Sequence, residues 1–123
     1  MSEFQSSAPH LVDVSTRTDL LNWGRQPNSI EDEFKAESHS SGRLIHKGPD
    51  NQPEVGLWVC TPGRWHLSIP RDELCYFVAG RATYAHLNGE VIEVMASTLV
   101  MFTAGWQGEC TVHETIRNSY ILL

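Results

Sequence analysis

The stretch TPGRWHLSIPRDELCYFVAG, residues 61–80, gathers His66, Ser68, Glu73 and Cys75 within ten positions. On a strand, alternate residues share a face, so His66 and Ser68 point the same way. The pattern reads as half of a metal site, with His66, Ser68 and Glu73 where His, His and Glu would serve. Imidazoles with a carboxylate suit Mn, Fe, Ni or Zn and leave positions open for a substrate. By the same period of two, Cys75 shares a face with Glu73, and Cys110 with Gly108. Cys110 is therefore a candidate soft donor, although free cysteines are often core residues and nothing more.

Glu73 raises a sharper question. A carboxylate inside a fold is costly unless paired. Pointing inward, Glu73 needs His66, Arg64 or a ligand. At a rim it would instead bridge to Arg71 or Arg81. In an apolar mouth its pKa would rise, making Glu73 a candidate general acid or base with His66 as a second pocket base. The competing reading of His66 is an ordinary hydrogen-bonded strand histidine. Trp58, Trp65, Tyr76 and Trp106 either line a pocket or belong to a core or subunit interface. Asp72 reads as a turn residue and Arg117 as structural or interfacial.

The elements that must position these groups are strands. After Gly42 the chain becomes a series of short runs rich in β-branched and aromatic residues, with Gly, Pro or Asn about every ten positions. Strands are expected near 43–48, 56–61, 64–69, 73–79, 81–87, 90–95, 98–103, 107–114 and 117–122. HLNGEV predicts a type I′ hairpin at Asn88-Gly89, and CTPGRW a tight turn through Pro62-Gly63. The fold class is all-β, a sandwich or small barrel. Residues 1–42 are polar and read as a partly irregular N-terminal extension, with clusters such as RQPNSIEDEF favouring turns and the extreme terminus expected to fray. DLLNWG, residues 19–24, reads as a helical turn or an apolar anchor. Residues 43–123 form the domain proper. LCYFVA and TLVMFT are apolar on both faces, so one face fills the interior. The other is covered by the N-terminal segment or by a second copy, which predicts a homodimer.

Composition removes several function classes. A chain of 123 residues suffices for one domain with a real core. A net charge of −6, with nine Lys and Arg scattered along the chain, argues against nucleic acid as a partner. No apolar run approaches the roughly 20 residues that cross a bilayer. MSEFQSSAPH has neither the basic nor the apolar region of a signal peptide. Three cysteines without CxxC spacing suit a reducing compartment, so a cytoplasmic location is expected.

From about Arg43 onward the chain resembles a cupin. More narrowly, it is similar to the small single-domain cupins grouped with the cupin domain of ureidoglycine aminohydrolase, first catalogued as a domain of unknown function. GLWVCTPGRW (56–65), DELCYFVAGRAT (72–83), NGEVIEV (88–94), FTAGWQG (102–108) and ETIRNSYIL (114–122) carry the likeness. The Glu73-to-Gly80 spacing matches the glutamate and glycine that close the first cupin motif. The resemblance implies an RmlC-like double-stranded β-helix, or jelly-roll barrel, of six or more strands, usually dimeric, with a pocket in its mouth.

Metal-binding cupins place two histidines and a glutamate in the first motif and a third histidine in the second. The likeness puts His66 and Glu73 at the first histidine and the carboxylate, and Ser68 at the second histidine. In the second motif Ser97 replaces a glycine, Thr103 a proline and Gly108 the third histidine. Two of the four ligands are missing, so the resemblance implies a degenerate site in which no cofactor is expected. The minority alternative is a divalent transition metal on His66 and Glu73, aided by Cys110 or by the strand histidines His86 and His113. The leading expectation is a protein that binds a small polar metabolite in a pocket of His66, Ser68, Glu73, Cys75, Trp106 and Cys110. The alternatives are a metal-dependent aminohydrolase acting on a ureide or related C–N bond, and a non-catalytic dimerising module.

Overall fold

A computed structural model describes residues 11–30 and 37–123. MSEFQSSAPH and residues 31–36, which include the EDEF end of RQPNSIEDEF, lie outside the described residues. Eight strands follow one another: β1 Leu21–Arg25, β2 His39–Lys47, β3 Glu54–Cys60, β4 Gly63–Ser68, β5 Glu73–His86, β6 Val91–Met95, β7 Thr98–Phe102 and β8 Gln107–Leu122. All pairings are antiparallel. No helix among the described residues is long and apolar enough to cross a membrane.

Two long strands form the spine. β5 and β8 pair from Glu73↔Leu122 to His86↔Gly108, with breaks in register between Phe77 and Ala82. Their outer partners change along the way. Glu73–Phe77 also pairs with β7, and the carboxyl half of β8 with β3, which continues to β2 and β1. Arg81–Ala85 pairs with β6, and the amino half of β8 with β4. The result is two antiparallel layers joined through shared strands, the jelly-roll barrel implied by the sequence.

Gly80 explains the passage from one layer to the other. Its φ is +86°, and an added Cβ would strike the Thr115 carbonyl and the backbone of Ile116. A side chain is therefore excluded by both conformation and space. Before this point Cys75 and Phe77 are buried, and after it Ala82 and Tyr84 are. The inward parity switches from odd to even. β8 keeps one parity, with Cys110, Val112, Ile116, Asn118 and Tyr120 all buried.

The expected strands all fall on observed ones, but 73–79 with 81–87 and 107–114 with 117–122 are continuous. The sheet also begins earlier than residue 43. Ser40 and Ser41 pair with β3, and DLLNWG supplies a strand in place of a helical turn or a loose anchor. Nothing periodic marks β1, because backbone pairing of Leu21 and Asn22 with Gly42 and Ser41 makes it a strand. The Asn88-Gly89 turn differs as well. Only Gly89 takes a positive φ, +95°, and His86 N donates to Glu90 O at 2.7 Å around a three-residue loop. Type I′ needs two positive φ values, and the longer loop needs only its glycine.

One outer face is covered by the chain itself. Val12 and Val14 lie over Val55, Leu57 and Ile45, and Arg117 Nη1 donates to Val14 O at 3.0 Å. Leu57 is thereby 1 % exposed although it points away from the interior. The outer face of β5 and β7 differs, because Tyr76, Leu99 and Met101 remain exposed there.

Candidate ligand pocket

Between the two layers lies a cavity of about 290 Å³. Alternation in β3 turns Glu54 and Trp58 toward it, and alternation in β4 does the same for Trp65 and Leu67. Asn118 and Tyr120 reach it from β8, Glu73, Cys75 and Tyr84 from β5, and Phe102 from β7. Trp23 of β1 and Gln26 complete the wall on the amino-terminal side, with Gln26 Oε1 accepting from Ser40 Oγ at 2.7 Å. Two glycines shape this lining. A Cβ on Gly42 would meet the Trp23 ring, and one on Gly56 the Tyr120 ring, so both rings pack closely against bare backbone.

The polar groups are few and confined. Cys75 Sγ–H donates to Glu73 Oε2 at 3.2 Å. Burial raises the Glu73 carboxyl above the ordinary carboxylate range; the Cys75 hydrogen bond opposes this, and the nearby Glu54 charge adds to it. Burial, reinforced by Glu73, pushes the Cys75 thiol upward, so it stays protonated as the donor. Tyr120 Oη donates to Glu54 Oε2 at 3.3 Å, and burial together with Glu54 raises its phenol. Trp58 and Trp65 pack edge to face with centroids 6.2 Å apart. Two buried lining residues have polar atoms without a hydrogen-bond partner: the Nε1–H of Trp65 and Oδ1 of Asn118.

Four of the six expected pocket residues lie elsewhere. His66 and Ser68 occupy the outward positions of β4, where Trp65 and Leu67 take the inward ones. The His66 side chain is 65 % exposed and lies 4.0 Å from Glu109 Oε2 across the β4–β8 ladder. It cannot meet Glu73 on a common metal, and it is no base for this cavity. The inward residues before Glu73 are Leu67 and Ile69, not His66 and Ser68, a frame shift of one position that exchanges the faces. Cys110 is fully buried in the core, paired across the ladder with Tyr84, and burial raises its thiol. Trp106 packs against Phe102 at 5.5 Å and His86 at 5.2 Å, in a second pocket lined by residues of β6 and β7. Only Glu73 and Cys75 of the six line the cavity.

No arginine neutralises Glu73. Arg64 Nε donates to Glu109 at 3.0 Å, Arg81 Nε to Glu114 at 3.3 Å, and Arg71 Nη2 to the carbonyls of Asn51 and Leu122. His113 is on the outer face with Thr83 Oγ1 at 2.7 Å. The cupin metal does not fit these residues. Leu67 and Ile69 offer no donor atoms, and Gly108 faces the Trp106 ring and the Ala85 carbonyl. Among the described residues no group of three or more His, Cys, Asp or Glu could hold a metal ion.

Sequence reasoning missed Glu54, Asn118, Tyr120 and Trp23. A signal existed for Asn118. In ETIRNSYIL, Ile116, Asn118, Tyr120 and Leu122 share one parity, and an amide on an otherwise apolar face needs a reason.

Comparison with known proteins agrees with this architecture. The model for the EutQ-like cupin domain matches residues 47–120. No curated protein gives a significant match. Among solved structures, a DUF861-family protein with unknown function from Pseudomonas syringae aligns with a TM-score of 0.76 at 17% identity, covering 91% of this chain and 46% of its own. The present chain thus spans less than half of that relative. The EutQ protein of Clostridium difficile aligns at 0.61 with 12% identity over 77% of this chain and 75% of its own. A putative ethanolamine utilization protein Q from Salmonella typhimurium gives 0.60 at 12% over 84% and 92%. Such low identities speak for the fold alone. With the family model matching more than half of its length, the chain belongs to the EutQ-like cupin domain family.

Proposed function

We propose that this cupin binds a small polar metabolite in the barrel cavity. The observation that carries the reading is the pair of unpartnered polar atoms, Trp65 Nε1–H and Asn118 Oδ1, on residues that line it. Buried polar groups are almost always hydrogen-bonded, and leaving one unmade costs about 1–3 kcal/mol. A ligand with both a donor and an acceptor supplies what the two atoms lack. The volume is at the small end of ligand sites, which suits a metabolite rather than a large cofactor.

Thermal-shift screening of ureides, amines and carboxylates tests the reading. At least one compound is expected to raise the melting temperature with increasing concentration, and Asn118→Leu to abolish that rise. A flat screen, together with Asn118→Leu more stable than the parent, would mean an ordinary packing defect and overturn it.

Metal-dependent hydrolysis of a ureide is the weaker reading, because the described lining residues include no imidazole. Stoichiometric Mn, Fe, Ni or Zn in protein purified without added metal would revive it. The exposed Tyr76, Leu99 and Met101 support a homodimer formed across the β5–β7 face. Light scattering should then show a dimer that Leu99→Glu dissociates; a monomeric parent would end that part of the proposal.

A further inference from the structure

Resting on that reading, we propose that the ligand is a protonated amine that also bears a hydrogen-bond acceptor such as a hydroxyl or carbonyl. Charge comes first. The described lining residues include two carboxylates, Glu54 and Glu73, and no Lys, Arg or His. Cys75 and Tyr120 each donate one hydrogen bond to these carboxylates. An ionised carboxylate has about four acceptor positions, so most of its capacity remains for a ligand. An anionic ligand would meet like charge with no cation to offset it, and a neutral one would leave the carboxylates uncompensated.

The walls point the same way. Trp23, Trp58 and Trp65 line the cavity beside the two glutamates. The negative face of an indole ring attracts a cation, and the attraction grows when both are withdrawn from water. The ring of Trp23 packs against Gly42, and Trp65 packs edge to face with Trp58, so these rings have neighbours in place before a ligand arrives. The unpartnered atoms refine the class. Asn118 Oδ1 lacks a donor, which an ammonium N–H supplies. Trp65 Nε1–H lacks an acceptor, which an ammonium group cannot provide, so the ligand needs a second polar group.

The test uses the whole chain and three compounds of equal length: aminohexanol, hexanediol and hydroxyhexanoate, cationic, neutral and anionic at neutral pH. Binding is read by calorimetry and by fluorescence of the cavity tryptophans. Aminohexanol is expected to bind at least about tenfold more tightly than hexanediol, with hydroxyhexanoate weakest. Glu73→Gln and Glu54→Gln should each narrow the gap between aminohexanol and hexanediol without weakening hexanediol. Hexanediol or hydroxyhexanoate binding as tightly as aminohexanol would overturn the amine assignment and leave a metabolite pocket standing. Binding of none of the three, alongside a flat metabolite screen, would overturn both. The selectivity of the unmodified protein decides the matter even if a variant fails to fold.

Discussion

Glu109 and Glu73 occupy opposite faces of neighbouring strands in one barrel. Glu109 lies on the outer face of β8, bound by Arg64, flanked by His66 and partly exposed. Glu73 lies on the inner face of β5, where its neighbours are a thiol, a second carboxylate and aromatic rings. The outer carboxylate already has its cation within the chain. The inner one has none among the described residues, and its burial disfavours the charge it would carry at neutral pH. The outer group of charges resembles a site by residue type and is complete in itself. The inner group is incomplete, which is the condition for binding something else.

The comparison can be broken most forcefully at adjacent positions of β4. Trp65→Ala should cost about 3–5 kcal/mol in urea denaturation, because it removes a fully buried ring. If Trp65→Ala were as mild as a surface change, the inner face would not be the one that holds the fold. Gly56→Ala comes next, at about 1–3 kcal/mol, since the new methyl must displace the Tyr120 ring from Glu54. A crystal structure with Tyr120 unmoved would contradict this account.

Glu73→Gln tests the inner carboxylate through pH. With its folded pKa raised, Glu73 keeps its proton in the folded state at pH values where the unfolded chain has lost it. The contribution is fully present below the unfolded pKa of about 4.3 and is lost as pH rises through the folded value. Melting temperatures should therefore be similar at low pH, with Glu73→Gln the more stable protein above that window. Parallel curves would show that Glu73 is not desolvated. Glu109→Gln should remove about 1 kcal/mol at most, and the difference should shrink in high salt, because the Arg64–Glu109 pair is partly exposed. His66→Ala should change stability by no more than about 0.5 kcal/mol.

The barrel was legible because β-strands announce themselves by residue type and turns by Gly, Pro and Asn. The Glu73-to-Gly80 spacing was legible for a physical reason, since one residue bears the inner charge and the other makes the bend possible. Strand parity was not legible in β4. WHLS alternates, but TPGRW leaves the starting frame open, and a choice of one position turned His66 and Ser68 inward in place of Trp65 and Leu67. β1 was unreadable because its strand character comes from pairing with distant residues, from Leu21↔Gly42 to Arg25↔His39. Glu54 escaped because it is unremarkable in its own strand, whereas Asn118 stood out on an apolar face, and both acquire a shared meaning only when β3 and β8 face the same space.

The switch of parity at Gly80 makes β5 two modules in one strand. Positions 73 and 75 give the cavity its carboxylate and thiol, while Tyr84 adds a ring to the same cavity and packs against Phe77 and Phe102. The glycine fixes the frame of each half, and a side chain exchanged upstream does not alter the parity downstream. A barrel so arranged can change its lining at Glu73 and Cys75 while the frame of its other half is kept, so the interior can vary without putting the scaffold at risk.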